Sequence, residues 1–240
     1  MIIHGTDTLS YAAAVLAHCL GDRVRVVLTG SQYPLLSSDG LDSRNFSDAL
    51  DNLNLALDAL QYYPQGVYLA FHHQVFHARS ALKQHSIELD AFTGLDAKQA
   101  LTATKALQIA SQDIIKAQDF NCLNIMAQPI GLAQLRQNLA PFRHATPHCL
   151  ILQGFGTANL AVDSELLALF HDLYAKNCAI VLTSQVPFGH IEQHYAINSW
   201  LAEAPVILSH ELGHADLYAK TLKMYLQYPH VEQWLSLIHI

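Results

Sequence analysis

Charge is scarce in this chain. Of its 240 residues only 14% are Asp, Glu, Lys or Arg, and Lys and Arg together number 13. Basic residues this few and this scattered leave no electrostatic footprint for nucleic acid, whose phosphates are gripped by clustered Lys and Arg. The net charge of −7 is spread without long acidic or basic runs. Cysteine is equally sparse. Cys19, Cys122, Cys149 and Cys178 stand singly, and without a C-x-x-C pair a zinc ribbon or thioredoxin-type site is not expected. Each lies in an apolar stretch and reads as a buried, reduced thiol, which fits a reducing compartment. No apolar run reaches the roughly 18 residues that a membrane-spanning helix needs, and no signal-peptide pattern is seen. No G-x-G-x-x-G or P-loop follows a strand, which sets aside a nucleotide-binding domain, and no internal repeat recurs at a fixed period.

What is present is apolar and patterned. Apolar residues make up 51% of the chain, which suits a compact globular protein and argues against disorder. Met1-Ile2-Ile3 is strand-like, and Leu9 to Leu20 carries Ala and Leu at helical spacing up to Gly21. Val24 to Leu28 is a β-branched run that predicts a strand feeding the loop Thr29-Gly30-Ser31-Gln32. Phe46 to Leu60 repeats Leu50, Leu53, Leu57 and Leu60, an amphipathic helix, and Gly66 to Phe71 is another strand. Strand, helix, strand, helix, strand is the order of an α/β fold, a parallel sheet with helices on both faces.

From about Ala97 to Pro147 the pattern weakens, apart from a possible short strand near Ile125. Alternation then resumes, with strands at Cys149–Leu152 and Ala179–Leu182 and helices at Ser164–Leu173 and Ala215–Gln227. The expected organisation is a parallel-sheet N-terminal domain over 1–126, a linker over 127–147, and a smaller α/β C-terminal domain over 148–240. The tail from Leu235 to Ile240 reads as a last strand, or as sequence foreign to the gene. Most of the fifteen histidines sit singly or beside apolar residues, so no metal or cofactor is expected.

The sharpest signal is His4-Gly5-Thr6-Asp7-Thr8-Leu9. A strand ends there, Gly5 allows close approach of a ligand to the backbone, and two hydroxyls flank a carboxylate at a helix N-terminus. Free N–H groups and the positive dipole end make such a terminus a seat for a substrate carboxylate. Taken as residues alone, capping of the following helix by Thr6, Asp7 or Thr8 explains the motif more simply.

Further motifs follow in order. Thr29-Gly30-Ser31-Gln32-Tyr33-Pro34, Ser38-Asp39-Gly40, Arg79-Ser80-Ala81-Leu82-Lys83 and Gly154-Phe155-Gly156-Thr157-Ala158-Asn159 resemble, with the hexapeptide, the signatures of the bacterial-type L-asparaginases. The T-G-S-Q form is closer to the cytoplasmic type I branch. The resemblance implies hydrolysis of L-asparagine to aspartate and ammonia through a threonine acyl-enzyme. It implies that Thr6 is the second catalytic threonine, working with Lys83 and Asp7 as a proton relay. Asp7 would also take the substrate's α-ammonium group. Gly5, Ser31 and Gln32 would shape the binding site, Asn159 would close it from the second domain toward a neighbouring subunit, and Tyr195 would lie near the substrate's amino group. Without the resemblance, Lys83 reads as a solvated surface lysine and Asn159 equally well as a turn residue. A homo-oligomer, dimer or tetramer, and a cytoplasmic location are implied, with no cofactor, nucleic acid or membrane partner.

Three departures stand against the family pattern. No T-G-G-T-I, the segment that bears the family's main nucleophile, occurs in the chain. The resemblance therefore implies an N-terminally truncated, inactive form with an exposed sheet edge. Asp42-Ser43-Arg44 lengthens the spacing after Ser-Asp-Gly, and Asp216-Leu217-Tyr218-Ala219-Lys220 lacks the acidic residue that follows D-M-T in the family. The alternatives are a non-catalytic Asp/Asn-binding module and the asparaginase-like subunit of a tRNA-dependent amidotransferase, against which the low Lys and Arg count weighs. Preference between asparagine and glutamine rests on loop shape and is not legible in the motifs.

Overall fold

The computed structural model describes residues 1–186, 191, 196–209 and 212–237. The chain divides into two compact units, 1–111 with 212–223, and 112–211 with 224–240. The division falls at 111–112 and not at the expected 126–127 boundary. The strand that was to end the first domain pairs instead with the first strand of the C-terminal sheet.

The first unit is built on a four-stranded sheet in the order β1 (Ile2–Ile3), β2 (Arg25–Thr29), β3 (Gly66–Phe71), β4 (Gln74–His77). The first three strands run parallel, in register from Ile2 opposite Leu28 and Arg25 opposite Gly66. Helix α1 (Leu9–Leu20) and helix α2 (Ala49–Tyr62) supply the crossovers. Each packs an apolar face on the sheet. Leu9, Ala13 and Ala17 cluster with Leu28, Leu69 and Phe71, while Ala56 and Ala59 cluster with Val27, Tyr68 and Ala70. Helix α1 stops at Gly21 because its φ of +59° is left-handed, and a Cβ there would lie 2.4 Å from the Thr104 carbonyl oxygen.

Strand β4 was not expected. It folds back antiparallel on β3, pairing Phe71 with Gln74. The two-residue turn is His72-His73, both at positive φ (43° and 66°). Such hairpin turns are ordinarily signalled by Asn or Gly, and histidine carries no such mark. A second small hairpin joins β5 (Leu82–Lys83) to β6 (Phe92–Thr93). Strand β1 is the edge of its sheet, and Ile3 there is 69% exposed.

The second unit holds an all-parallel sheet in the order β10 (Val206–Leu208), β9 (Ala179–Ser184), β8 (Cys149–Gly154), β7 (Cys122–Met126). Leu150, Leu152, Ile180 and Leu182 from its central strands are buried with Leu166, Leu169, Phe170 and Leu173 of helix α5 (Ser164–Ala175). Asp163 caps α5 by accepting the Leu166 N–H at 3.0 Å.

The stretch read as domain end and linker is in fact structured. It contains α3 (Ser111–Gln118), β7, α4 (Leu132–Leu139) and a short 3-10 turn at Ala140–Arg143. Helix α3 buries no residue and α4 buries only Leu139, so neither needs the wide apolar stripe that marks a helix in sequence. Strand β7 is an edge strand with no fully buried residue. Helix α6 (His214–Gln227) matches expectation, but the tail forms helix α7 (Val231–Leu237) and not a strand up to that point. Residues 238–240 lie outside the described residues.

Candidate functional site

The site assembles at the C-terminal ends of β1 and β2, where a parallel sheet presents its loops. The chain leaving β1 stays joined to β2 through the His4 N–H, which donates to the Thr29 carbonyl at 2.9 Å. The approach beside that bond is so close that a Cβ on Gly30 would lie 2.4 Å from the His4 carbonyl oxygen. Glycine is therefore required at the first loop position after Thr29. By contrast, Gly5 is exposed and faces open space.

Lys83, at the end of β5, reaches this corner. Its Nζ donates to Thr6 Oγ1 at 2.9 Å and to Asp7 Oδ1 at 2.8 Å. The lysine side chain is only 20% exposed and the Asp7 side chain 95%. Lys83 is thus no solvated surface lysine, while Asp7 stands at the rim and is not a buried charge partner. The hydrogen bond from Lys83 and its positive charge hold the Asp7 carboxyl below the usual carboxylate range. The capping explanation of the motif has no counterpart in the geometry. Thr8 occupies the N-cap of α1 without a side-chain cap bond, and the Asp7 carboxylate is turned to Lys83.

Gln32 closes the corner from the loop after β2. Thr6 Oγ1 donates to Gln32 Oε1 at 3.3 Å, and Gln32 Nε2 donates to the Ser86 carbonyl at 2.9 Å. Ser31 is half-buried on the same loop. Beneath the loop lies Asp48, at the N-cap of α2. Its two carboxylate oxygens accept the backbone N–H groups of Gln32 at 3.0 Å and Tyr33 at 2.9 Å, and the Asn52 amide at 2.8 Å. Asn52 also donates to the Gly30 carbonyl and accepts the His72 N–H. Sequence reasoning missed both residues. An Asp just ahead of a helix reads as a cap, and an Asn inside it as part of the polar face. The only signal is their i, i+4 spacing, which stacks them one turn apart.

A second buried polar group belongs to the same unit. Asp216 is fully buried and accepts from His18 Nε2 at 2.7 Å and from Arg79 Nε and Nη2 at 2.9 and 3.1 Å. Burial pushes its carboxyl up, but the hydrogen bonds and charges of His18 and Arg79 outweigh that and hold it well below the usual range. Arg79, the first residue of the R-x-x-x-K segment, therefore anchors α6 while Lys83 points into the site.

Asn159 belongs to the second unit, on the tight loop after β8, where Phe155 and Asn159 exchange backbone hydrogen bonds. Tyr195 lies outside the described residues. Among the described residues no three His, Cys, Asp or Glu side chains converge as metal ligands would, and no helix is long and apolar enough to cross a membrane.

Residues 1–115 match the family model of the asparaginase N-terminal domain. The chain is 26% identical over 239 residues to L-asparaginase 1 of Escherichia coli K12, spanning 95% of this chain and 67% of that protein. Over nearly all of its length the chain is thus similar to asparaginases. L-asparaginase of Thermococcus kodakarensis is 27% identical over 218 residues, covering 86% of this chain and 63% of that one. In fold, L-asparaginase I from Vibrio cholerae superposes with a TM-score of 0.74 at 23% identity, over 100% of this chain and 73% of the other. The chain thus spans about two thirds of the length of these two curated asparaginases.

Proposed function

We propose that this asparaginase-like chain carries the proton relay and the amino-group anchor of an L-asparaginase-type amidohydrolase, which converts L-asparagine and water to L-aspartate and ammonia. The observation that supports it is the double hydrogen bond of Lys83 Nζ to Thr6 Oγ1 and Asp7 Oδ1. In this reading Lys83 first gives a proton to solvent, and the attacking hydroxyl then gives its proton to Thr6 Oγ1 while Thr6 passes its own to Lys83. The nucleophile oxygen bonds to the side-chain amide carbon, the C–N bond breaks, and the proton returns from Lys83 to the departing ammonia. Water then repeats the relay to release aspartate from the acyl-enzyme. Asp7, exposed at the rim beside Lys83, takes the substrate's α-ammonium group. The half-buried Ser31 borders the substrate site, and Asn159 and Tyr195 stay in the proposal as the further binding residues that the family resemblance implies.

No T-G-G-T-I lies within these 240 residues, so the primary nucleophile is not assigned to any of them. The test accordingly uses a form extended with a T-G-G-T-I segment ahead of Met1. There, Lys83→Met lowers asparagine turnover by about 10²–10⁴-fold, the usual worth of a positioned proton-transfer group. Turnover within twofold of the parent removes the relay. The 240 residues alone release ammonia from asparagine far more slowly than the extended form.

The same lack of T-G-G-T-I favours a second reading, a non-catalytic module that binds aspartate or asparagine through Asp7. It is distinguished by calorimetry showing aspartate binding with no ammonia release even from the extended form. A homo-oligomer and a cytoplasmic location complete the proposal. Sedimentation of the extended form tests the first, and fractionation of the source cells the second.

A further inference from the structure

Gln32 was expected among the substrate-binding groups, yet both ends of its side-chain amide are already engaged within the chain. Nε2 donates to the Ser86 carbonyl, which can only accept, so the amide has one orientation and Oε1 must face Thr6. The ammonium of Lys83 has only protons to give, so Thr6 Oγ1 receives from it. A threonine hydroxyl has a single proton, and that proton is left for Gln32 Oε1. At 3.3 Å the bond is long for an O–H···O contact, which suits a contact that is exchanged for another.

We propose that Gln32 is a positioning residue that sets the direction of the Thr6 hydroxyl proton, and that the buried Asp48 acts through it by holding the loop in register. For Thr6 to pass its proton to Lys83, the ammonium must first have given up a proton and the O–H must turn away from Gln32. Gln32 therefore keeps the Thr6 lone pairs toward Lys83 between proton transfers. Its reach is fixed from two sides. Asp48 takes the N–H groups of Gln32 and Tyr33 from helix α2. Gly30 meanwhile lets the loop press against the chain that carries Thr6. Asp7 is the charged group that Lys83 contacts in this arrangement, and it does not touch Gln32's part of the network. The inference rests on the reading of Thr6 and Lys83 as a relay, but its geometry is testable without turnover.

The test is neutron diffraction on the deuterated 240-residue chain, which shows where the Thr6 deuteron points. In the parent it lies on the line to Gln32 Oε1. In Gln32→Met, which has no oxygen acceptor, it leaves that line, and in Gln32→Glu, which keeps one, it returns. Asp48→Asn retains at most one of the two backbone tethers, and the Gln32 side chain withdraws from Thr6. A parent deuteron pointing elsewhere, or an Asp48→Asn variant with Gln32 and the deuteron unmoved, overturns the proposal. In the T-G-G-T-I-extended form, Gln32→Met lowers kcat about two- to tenfold, the worth of one net hydrogen bond, with KM unchanged and with rescue by Gln32→Glu. A raised KM at constant kcat would make Gln32 a substrate-binding group and sink the inference. If the deuteron behaves as stated while Lys83→Met leaves turnover intact, the orienting role of Gln32 on the Thr6 hydroxyl stands and the Lys83 relay falls.

Discussion

Asp7 meets Lys83 across 2.8 Å with its carboxylate almost wholly in water and the lysine mostly out of it. An exposed carboxylate adds little to stability through such a pair, because water and salt screen it. Its position instead leaves oxygen lone pairs facing outward, where a ligand's ammonium group can reach them.

Asp7→Asn should therefore leave the thermal midpoint nearly unchanged while aspartate affinity, read by calorimetry on the 240-residue chain, falls on the order of tenfold or more. Asparagine caps a helix as well as aspartate does, so unchanged affinity would reduce Asp7 to a residue of the helix start. The pH dependence carries the same information. Lys83 depresses the Asp7 carboxyl, so the anionic, binding-competent form persists below the usual value of about 3.9. Affinity should thus survive acidification further than for an ordinary exposed carboxylate, and be lost only as pH falls through the lowered value.

Asp216 is fully buried between His18 and Arg79. Its Ala substitution leaves His18 and Arg79 facing each other without their carboxylate, at a cost of about 3–5 kcal/mol. Urea unfolding monitored for the first unit reads this directly. The sign with pH follows from the depressed carboxyl. The stabilisation is complete above the unfolded-state value and drains away as pH falls toward the folded one. A variant with parental stability would show that the triad is balanced by its own desolvation.

Ser10 offers the opposite case. Its hydroxyl is buried in α1 with no hydrogen-bond partner among the described residues. Removing an unsatisfied buried polar atom relieves its desolvation cost, so Ser10→Ala should be neutral or stabilising by about 1 kcal/mol. A loss of stability beyond that would mean that the hydroxyl is bonded in solution.

None of the four cysteines is in a disulfide, but they are not equivalent. Cys178 is buried and its thiol is pushed up to about 12 by that burial, so it is thiol and not thiolate at neutral pH. Cys122, on the edge strand β7, is half-buried. Alkylation of the native protein followed by peptide mass spectrometry should label Cys122 first and Cys178 only on unfolding. Early labelling of Cys178 would show that the second unit opens locally.

Helix α1, strand β3 and the alternation behind the α/β fold could be read from the chain, because each buries a continuous apolar face and so shows a clean period. The elements that were missed bury little or turn without a marked residue. Helix α3 buries nothing, α4 buries one leucine, and the β3–β4 hairpin turns on two histidines. No apolar period exists where no core demands one.

The motifs around Thr6, Gln32 and Lys83 were equally visible as strings of residues, and local sequence determined that Thr6 and Gln32 would follow strands, while the strand that carries Lys83 was not legible. Their meeting was not visible. Lys83 and Asp7 are 76 residues apart, and only the pairing of β1 with β2 and the placement of β5 bring the lysine within bonding distance. Local pattern could not foresee that Asp7 would be exposed, or that Asp48 would hold the Gln32 loop and not cap its own helix. A side chain's polarity is written in the sequence, but the partner that satisfies it is chosen by the packing of distant elements, and here tertiary structure made that choice.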